Sequence, residues 1–388
     1  LVLTTGIQSL TSMAALVAPV LAPKMAPAMS VSTATVGYYI ALVYLAAMPM
    51  SILGGDLVLR YGPIRVSQAS LLTCATGLAL LCTGQPWICI IGALLIGFGY
   101  GPVTPASSHM LALSTPARHM GLVFSIKQTG VPLGGALAGF LAPPLELRAG
   151  WQGALAFVAV ACVACCAISQ SIRAPHDGDR VRAHPLGWKI FAELRGLLRA
   201  SIPLRTLAFA SFWFSTFQLS LTTYLVTYLH ESFGYSLVAA GLMMSAAQAS
   251  GVIGRIAWGL AADRWLGPIR MLLILAAGMA LFGGLLSVGS ATWDPLLLAG
   301  VVSIASACGL GWNGAFLAEV ARQAPSGAAG RATGAILACT YAGVVFGPPM
   351  FGAIASLGGD YRLAFAAVSA APLIAGTALY TRRSRFAP

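Results

Sequence analysis

The chain has 388 residues, of which 58% are hydrophobic and only 8% charged, with a net charge of +12 and a mean hydropathy of +0.84. Ordinary globular chains carry about 25% charged residues, so a water-soluble fold is excluded and the apolar surface belongs in a bilayer. The positive balance would bring nucleic acid to mind as a partner, but its placement along the chain excludes that.

Twelve apolar segments of helical length follow one another, over residues 3–23, 33–55, 66–84, 87–112, 119–142, 151–172, 205–230, 236–261, 269–290, 295–320, 328–356 and 361–381. Each is close to or above the ~20 residues that cross a hydrocarbon core. The first begins at Leu1 without Met and without a small-residue cleavage pattern, so it is read as a retained span with a trimmed N-terminus, not a signal peptide. Lys24, Arg148 and Arg362 fall in odd-numbered loops, whereas every other basic residue outside the spans lies at the opposite ends. By the positive-inside rule this places both termini in the cytoplasm of a multi-pass inner-membrane protein, with anionic lipid headgroups as partners of the basic loops.

In chain order, span one carries a polar face of Gln8, Thr11 and Ser12. Spans three, four, six, ten and eleven hold all eight cysteines, among them a Cys162-x-x-Cys165 pair. Without a second pair or a nearby His, these are read as small apolar packing residues and not as a disulfide framework or a metal site. His109, near the inner end of span four, is read as a hydrogen-bonded histidine. Span five contains Lys127 and span eight contains Arg255, and neither span has an Asp or Glu to neutralise its cation. Burying a cation at bilayer depth costs about 2.5–3.5 kcal/mol, so two such residues call for a bound anion. Both lie at similar depth: nine residues beyond Arg118 and eight before Asp263, or about 13 and 12 Å at ~1.5 Å per residue.

The polar interval from Arg173 to Arg205 divides the chain into residues 1–172, a linker over 173–204 and residues 205–388, two six-span halves about a cytoplasmic connection. Within the linker, Trp188, Phe191, Leu194 and Leu198 at helical spacing predict an amphipathic helix over Leu186–Arg199 lying on the inner leaflet. Trp213, Phe217, Tyr224 and Tyr228 form a stripe on span seven that reads as packing. On span eight Gln248 stands seven residues before Arg255, on the same face, placed to orient it or the ligand. Asn313 in span ten and Tyr341 in span eleven lie near mid-depth as further hydrogen-bond donors, and Glu319 is expected to pair with Arg322.

The halves repeat. Gly62-Pro63-Ile64-Arg65 recurs as Gly267-Pro268-Ile269-Arg270, and Arg118, Gly121, Gly130, Gly134 and Gly139 match Arg331, Gly334, Gly343, Gly347 and Gly352 at one constant offset of 213. On this offset Lys127 corresponds to Thr340, and Arg255 corresponds to Ser51 when Gly259 is laid on Gly55, so neither charge is duplicated. A role in the shared scaffold is expected in both halves, whereas an asymmetric ligand needs asymmetric chemistry. The competing reading is that each cation bonds backbone carbonyls at a helix break, for instance beside Pro132.

The segment Gly259 to Arg270, with Gly259, Asp263, Arg264 and Gly267 at its core, resembles the loop motif of the major facilitator superfamily. The first-half copy, Gly55 to Arg65, has Leu59 where the motif has Asp, with Asp56 three residues earlier as a substitute. The resemblance implies an all-α membrane fold of twelve helices in two pseudo-symmetric six-helix bundles, a substrate site between the halves near the midplane, and gating through Asp56, Arg60, Asp263 and Arg264. Spans five and eight then line the cavity from opposite halves, which makes Lys127, Arg255, Gln248, Asn313, Tyr341 and Gln8 the expected substrate-binding set. Gly254-Arg255-Ile256 is loosely similar to the superfamily's carboxylate transporters, and the span-five glycines to its antiporters. The expected function is a monomeric secondary transporter of mono- or dicarboxylates, coupled to protons or to anion exchange, with no cofactor and no metal. The alternative is a drug/proton antiporter, which would normally use an embedded carboxylate near mid-depth. A membrane enzyme is disfavoured because no HExxH, GxSxG or nucleotide-binding loop occurs.

Overall fold

The computed structural model describes the chain except for residues 115–122, 124–125, 179, 182–195, 197–200, 325–328 and 387–388. The described residues are helical, with no strand. Thirteen longer helices are labelled here: α1 (Val2–Ala28), α2 (Val36–Tyr61), α3 (Pro63–Leu81), α4 (Pro86–Tyr100), α5 (Val103–Ser114), α6 (Gly130–Ser169), α7 (Ile202–Phe233), α8 (Leu237–Ala261), α9 (Pro268–Val288), α10 (Pro295–Gly311), α11 (Asn313–Gln323), α12 (Ala329–Gly358) and α13 (Tyr361–Thr381). Ten described stretches are long and apolar enough to cross a membrane. One of them, Ile126–Ile172, is 47 residues long and turns at Gly150 (φ 68°), and α7 adds a further 32-residue helix, which is consistent with twelve crossings. The amphipathic helix expected over Leu186–Arg199 falls outside the described residues apart from Gly196, as do Arg118 and Gly121 of the repeat.

Contacts divide the chain into two compact units. Unit one comprises Leu1–Thr33 and Leu42–Trp188, and unit two comprises Ala34–Ala41 and Lys189–Pro388. Within unit one α1 packs along the first half of α6, and within unit two α7 packs along α12. The repeated glycines make both contacts possible. A Cβ on Gly134 would lie 2.3 Å from Ser9 O, and one on Gly343 only 2.1 Å from Phe212 O. The span-five pattern therefore serves backbone-to-backbone approach, as small residues do between membrane helices.

The two Gly-Pro-Ile-Arg turns are also alike in shape. Gly62 (φ 93°) and Gly267 (φ 74°) adopt a positive φ open mainly to glycine, and the following Pro takes the first helical position of α3 and α9. Their surroundings differ. In unit one Asp177 accepts from Ile64 N (2.8 Å) and Arg65 N (3.3 Å), pairs with Arg173 at 3.3 Å, and so neutralises the start of α3. In unit two the turn is preceded by a π-helical stretch, Ala262–Leu266, with Asp263 and Arg264 exposed.

The aromatic stripe of α7 is packing. Phe217, Tyr224 and Tyr228 are fully buried. The Tyr228 hydroxyl donates to Leu286 O, and that of Tyr224 donates to Ala34 O while accepting from Gly37 N, which ties the segment Ala34–Ala41 into unit two.

Candidate functional site

In both units the fourth span is broken, and the break is where the polar chemistry gathers. In unit one α4 ends at Tyr100 and α5 starts at Val103, across Gly101-Pro102. Pro105 has no N–H to give to Gly101 O, so this carbonyl needs an outside donor. Ser51 Oγ supplies it from α2 at 2.9 Å. In unit two α10 ends at Gly311 and α11 starts at Asn313, and Leu310 O accepts from Arg255 Nε at 2.9 Å. Ser51 and Arg255 are the positions matched by the repeat, so the carbonyl cap is a duplicated task performed by different residues. Gly251 and Gly254 clear the way: a Cβ on Gly251 would stand 2.8 Å from Leu310 Cβ, and one on Gly254 2.5 Å from Ala307 O.

Lys127 is 1% exposed. Its ammonium donates to Thr104 O and to Ser108 Oγ, each at 3.1 Å, both on α5 just past the break. The same turn of α5 is held to α1 by Thr104 Oγ1, which donates to Gln8 Oε1 at 3.1 Å. Spans one, four and five thus meet in a knot of Gln8, Thr104, Ser108 and Lys127. Every partner of the cation is neutral, and an ammonium has three donors where two are used. Close by in sequence, the buried Thr5 Oγ1, Gln8 Nε2 and Ser12 Oγ have no partner. Buried polar atoms are rarely left unpaired, so a cluster of orphans marks room for a ligand or water.

The expected competing role, a carbonyl bond at a helix break, is therefore real for both cations, but the break lies in spans four and ten and not beside Pro132. Thr340, the repeat partner of Lys127, needs no such help, since its hydroxyl folds back onto Ile336 O and its own carbonyl accepts from Ser215 Oγ.

Around Arg255 the structure builds a second knot. Gln218 Oε1, on α7, accepts from Trp312 Nε1 at 2.9 Å and from Asn313 Nδ2 at 3.5 Å, and Asn313 Nδ2 also approaches Leu310 O at 3.4 Å. A glutamine from the first span of each half thus holds the broken fourth span. Gln218, Thr104 and Ser108 escaped the sequence reading. The available signal for Gln218 was a glutamine in the first span of the second half, as Gln8 is in the first span of the first, hidden by the aromatic stripe around it.

Gln248 is 3% exposed, but its Oε1 is unpartnered and no hydrogen bond joins it to Arg255. Tyr341 is half-buried on α12 beside Thr340. Asp56 is half-buried on α2, and Arg60 stacks over the Tyr61 ring at 5.4 Å. Glu319, fully buried on α11, pairs with Arg322 at 2.6 Å and accepts from Gln323 at 2.8 Å. Among the described residues no group of His, Cys, Asp and Glu is arranged to hold a metal ion.

Comparison with known proteins agrees with this architecture. The chain is 28% identical to a gentisate transporter of Corynebacterium glutamicum over 69% of its own length and 61% of that protein's. It is 28% identical to the 3-(3-hydroxy-phenyl)propionate transporter of Escherichia coli over 91% of its length and 86% of that protein's. The alignments span between 61% and 63% of the length of the first curated relatives. In fold, the chain superposes on a bacterial homologue of the human lysosomal transporter Spinster with a TM-score of 0.78, at 14% identity, covering 99% of this chain and 96% of that one. Such relatives are transporters and not enzymes. Residues 2–343 match the model of the Major Facilitator Superfamily, and the chain belongs to that family.

Proposed function

We propose that the protein is a secondary transporter of small organic anions, with carboxylates, aromatic ones included, as the first class to test. The observation that carries this reading is Lys127, a cation with 1% exposure whose hydrogen bonds go only to Thr104 O and Ser108 Oγ. Two neutral oxygens fix the position of an ammonium without neutralising it, so the site retains an electrostatic demand that an anion fulfils. Arg255 supplies the second charge. Capping one carbonyl calls for a single donor, as Ser51 shows, whereas a guanidinium brings a fixed charge and the geometry for a bidentate carboxylate. Relatives that carry gentisate and 3-(3-hydroxy-phenyl)propionate support an acid as cargo.

On this reading Gln8, Gln248, Asn313 and Tyr341 hydrogen-bond the polar parts of the solute, and Asp56, Arg60, Asp263 and Arg264 act in gating. Anion entry removes the cost of the buried charges and so favours the closed intermediate of an alternating-access cycle. The energy comes from a proton, with Lys127 as a carrier, or from exchange with a second anion, in a monomer set in the inner membrane with cytoplasmic termini. Export of lipophilic cations draws no support: the span-five glycines serve packing against α1, and the buried Glu319 is already paired with Arg322.

The test is counterflow of labelled aromatic and aliphatic carboxylates in proteoliposomes, on the native chain and on Lys127→Gln and Arg255→Gln. The expected result is saturable uptake of at least one acid that both substitutions abolish. Unchanged uptake in both variants, or saturable transport of lipophilic cations with no response to acids, would overturn the proposal.

A further inference from the structure

We propose that unit one carries a dedicated binding groove for an anionic phospholipid on its basic-loop face, separate from the transport site. A cavity of about 790 Å³ opens among α2, α3, the end of α4 and the start of the linker. Arg60, Arg65 and Arg180 line it where α2 ends, α3 starts and the linker passes, which makes this its cationic mouth, and apolar side chains including Met50, Ala69 and Phe98 line it farther along the helices. From Arg65 to Thr73 the groove runs eight residues along α3, about 12 Å into the span at ~1.5 Å per residue. A cationic mouth over an apolar slot of that depth has the polarity of a phospholipid, with the phosphate outermost and an acyl chain within.

Arg65 Nη1 donates to the neutral Gln68 Oε1 at 3.2 Å, Arg60 lies over the Tyr61 ring, and none of the three arginines enters an ion pair among the described residues. The carboxylate of Asp177 does not change this, because it is committed to the amides of Ile64 and Arg65 and to Arg173. Three arginines converge although no ion pair among the described residues holds them there. The positive-inside asymmetry places this mouth at the cytoplasmic leaflet, where anionic lipids concentrate. Phe98 (42% exposed) and the neighbouring Leu72 (46% exposed) present apolar surface around the slot.

The backbone keeps the mouth in place. Val181 N donates to Leu59 O at 2.7 Å, so Arg180 is held against the end of α2 although it belongs to the linker. Asp177 fixes the start of α3 and with it Arg65. A lipid phosphate bound there would connect α2, α3 and the linker through one anion.

The experiment is native mass spectrometry of the delipidated full chain, titrated with phosphatidylglycerol and with phosphatidylcholine of the same acyl composition. The native chain is expected to retain the anionic lipid roughly tenfold more tightly than the zwitterionic one. The variant R60Q/R65Q/R180Q should lose that preference while still binding phosphatidylcholine at the native level, which reports a folded chain. A69W, which fills the slot and leaves the arginines intact, should weaken retention of both lipids. Equal affinity of the native chain for the two lipids, preference surviving in the triple variant, or unaltered retention in A69W would each overturn the proposal. So would displacement of phosphatidylglycerol by inorganic phosphate at equal concentration, since the mouth alone would then be the site.

Discussion

In unit one the carbonyl at the break of the fourth span, Gly101 O, takes its hydrogen bond from the hydroxyl of Ser51, and in unit two the carbonyl at the corresponding break, Leu310 O, takes it from the guanidinium of Arg255. Ser51 shows that a neutral donor completes the fold. The charge of Arg255 is thus surplus to the cap. Lys127 differs again: it is buried more deeply than Arg255 and holds the segment just past the break through Thr104 O and Ser108 Oγ, while Thr340 at the matching place in unit two settles onto its own helix. Duplicated positions report the scaffold, and the charge that each half adds at those positions is what the proposed function assigns to the solute.

The largest expected effect comes from Lys127. Removing one member of a buried charge interaction costs about 2–5 kcal/mol, so K127Q should weaken the apparent affinity for the transported acid by about 30-fold or more. Binding by isothermal calorimetry in detergent separates this from a transport defect. If K127Q binds the acid as the native chain does, the comparison reduces to two ways of propping a broken helix.

A pair of substitutions at the duplicated cap sharpens the contrast. R255S places in unit two the donor that suffices in unit one, so thermal stability should move little while affinity for the acid falls about tenfold or more, the worth of a hydrogen bond to a charged group. S51A should do the reverse. It leaves Gly101 O without the side-chain donor, at about 1–3 kcal/mol of stability, with the affinity for the acid unchanged. A loss of stability in R255S as large as in S51A would mean that Arg255 is mainly a cap.

Much of the fold was legible in advance because apolar run length and repeated turn chemistry are local properties. The expected spans 33–55, 205–230 and 361–381 became α2, α7 and α13 within a few residues at most boundaries, and both Gly-Pro-Ile-Arg turns start a helix with the first residue at positive φ. The cations were legible for a similar reason, since a charge in an apolar run stands out. Their ligands were not. Thr104, Ser108 and the carbonyl of Leu310 are reached across helices, and nothing in residue spacing tells which carbonyl a break will free. Asp177 was missed because it comes to the start of α3 from 113 residues later in the chain than Ile64.

The glycine ladder gives a smaller but cleaner comparison, because it should behave alike in both units. A side chain at Gly134 would meet Ser9 O at 2.3 Å, and one at Gly343 would meet Phe212 O at 2.1 Å, both backbone atoms that cannot swing aside. G134V and G343V should each lower stability by about 1–3 kcal/mol, the usual cost of overpacking, as read from thermal unfolding in detergent. A large loss at one position and none at the other would show that the repeat is preserved in sequence but not in packing.

The smallest expected effect lies at the turns, where the two units also differ in charge. Asp177 places its carboxylate on the first amides of α3 and against Arg173, while no described carboxylate is placed on the start of α9. An anion at a helix N-terminus contributes about 0.3–1 kcal/mol when exposed and up to about 2 when partly buried. D177N keeps a side-chain oxygen to accept from Ile64 N but loses the charge, so the chain should become less stable by about 1 kcal/mol, and the loss should shrink as salt screens the interaction in the native protein. D177A should cost more, since Ile64 N then lacks its 2.8 Å partner. Equal stability of all three chains would mean that the turn in unit one is held by Gly62 and Pro63 alone, as the turn in unit two is by Gly267 and Pro268.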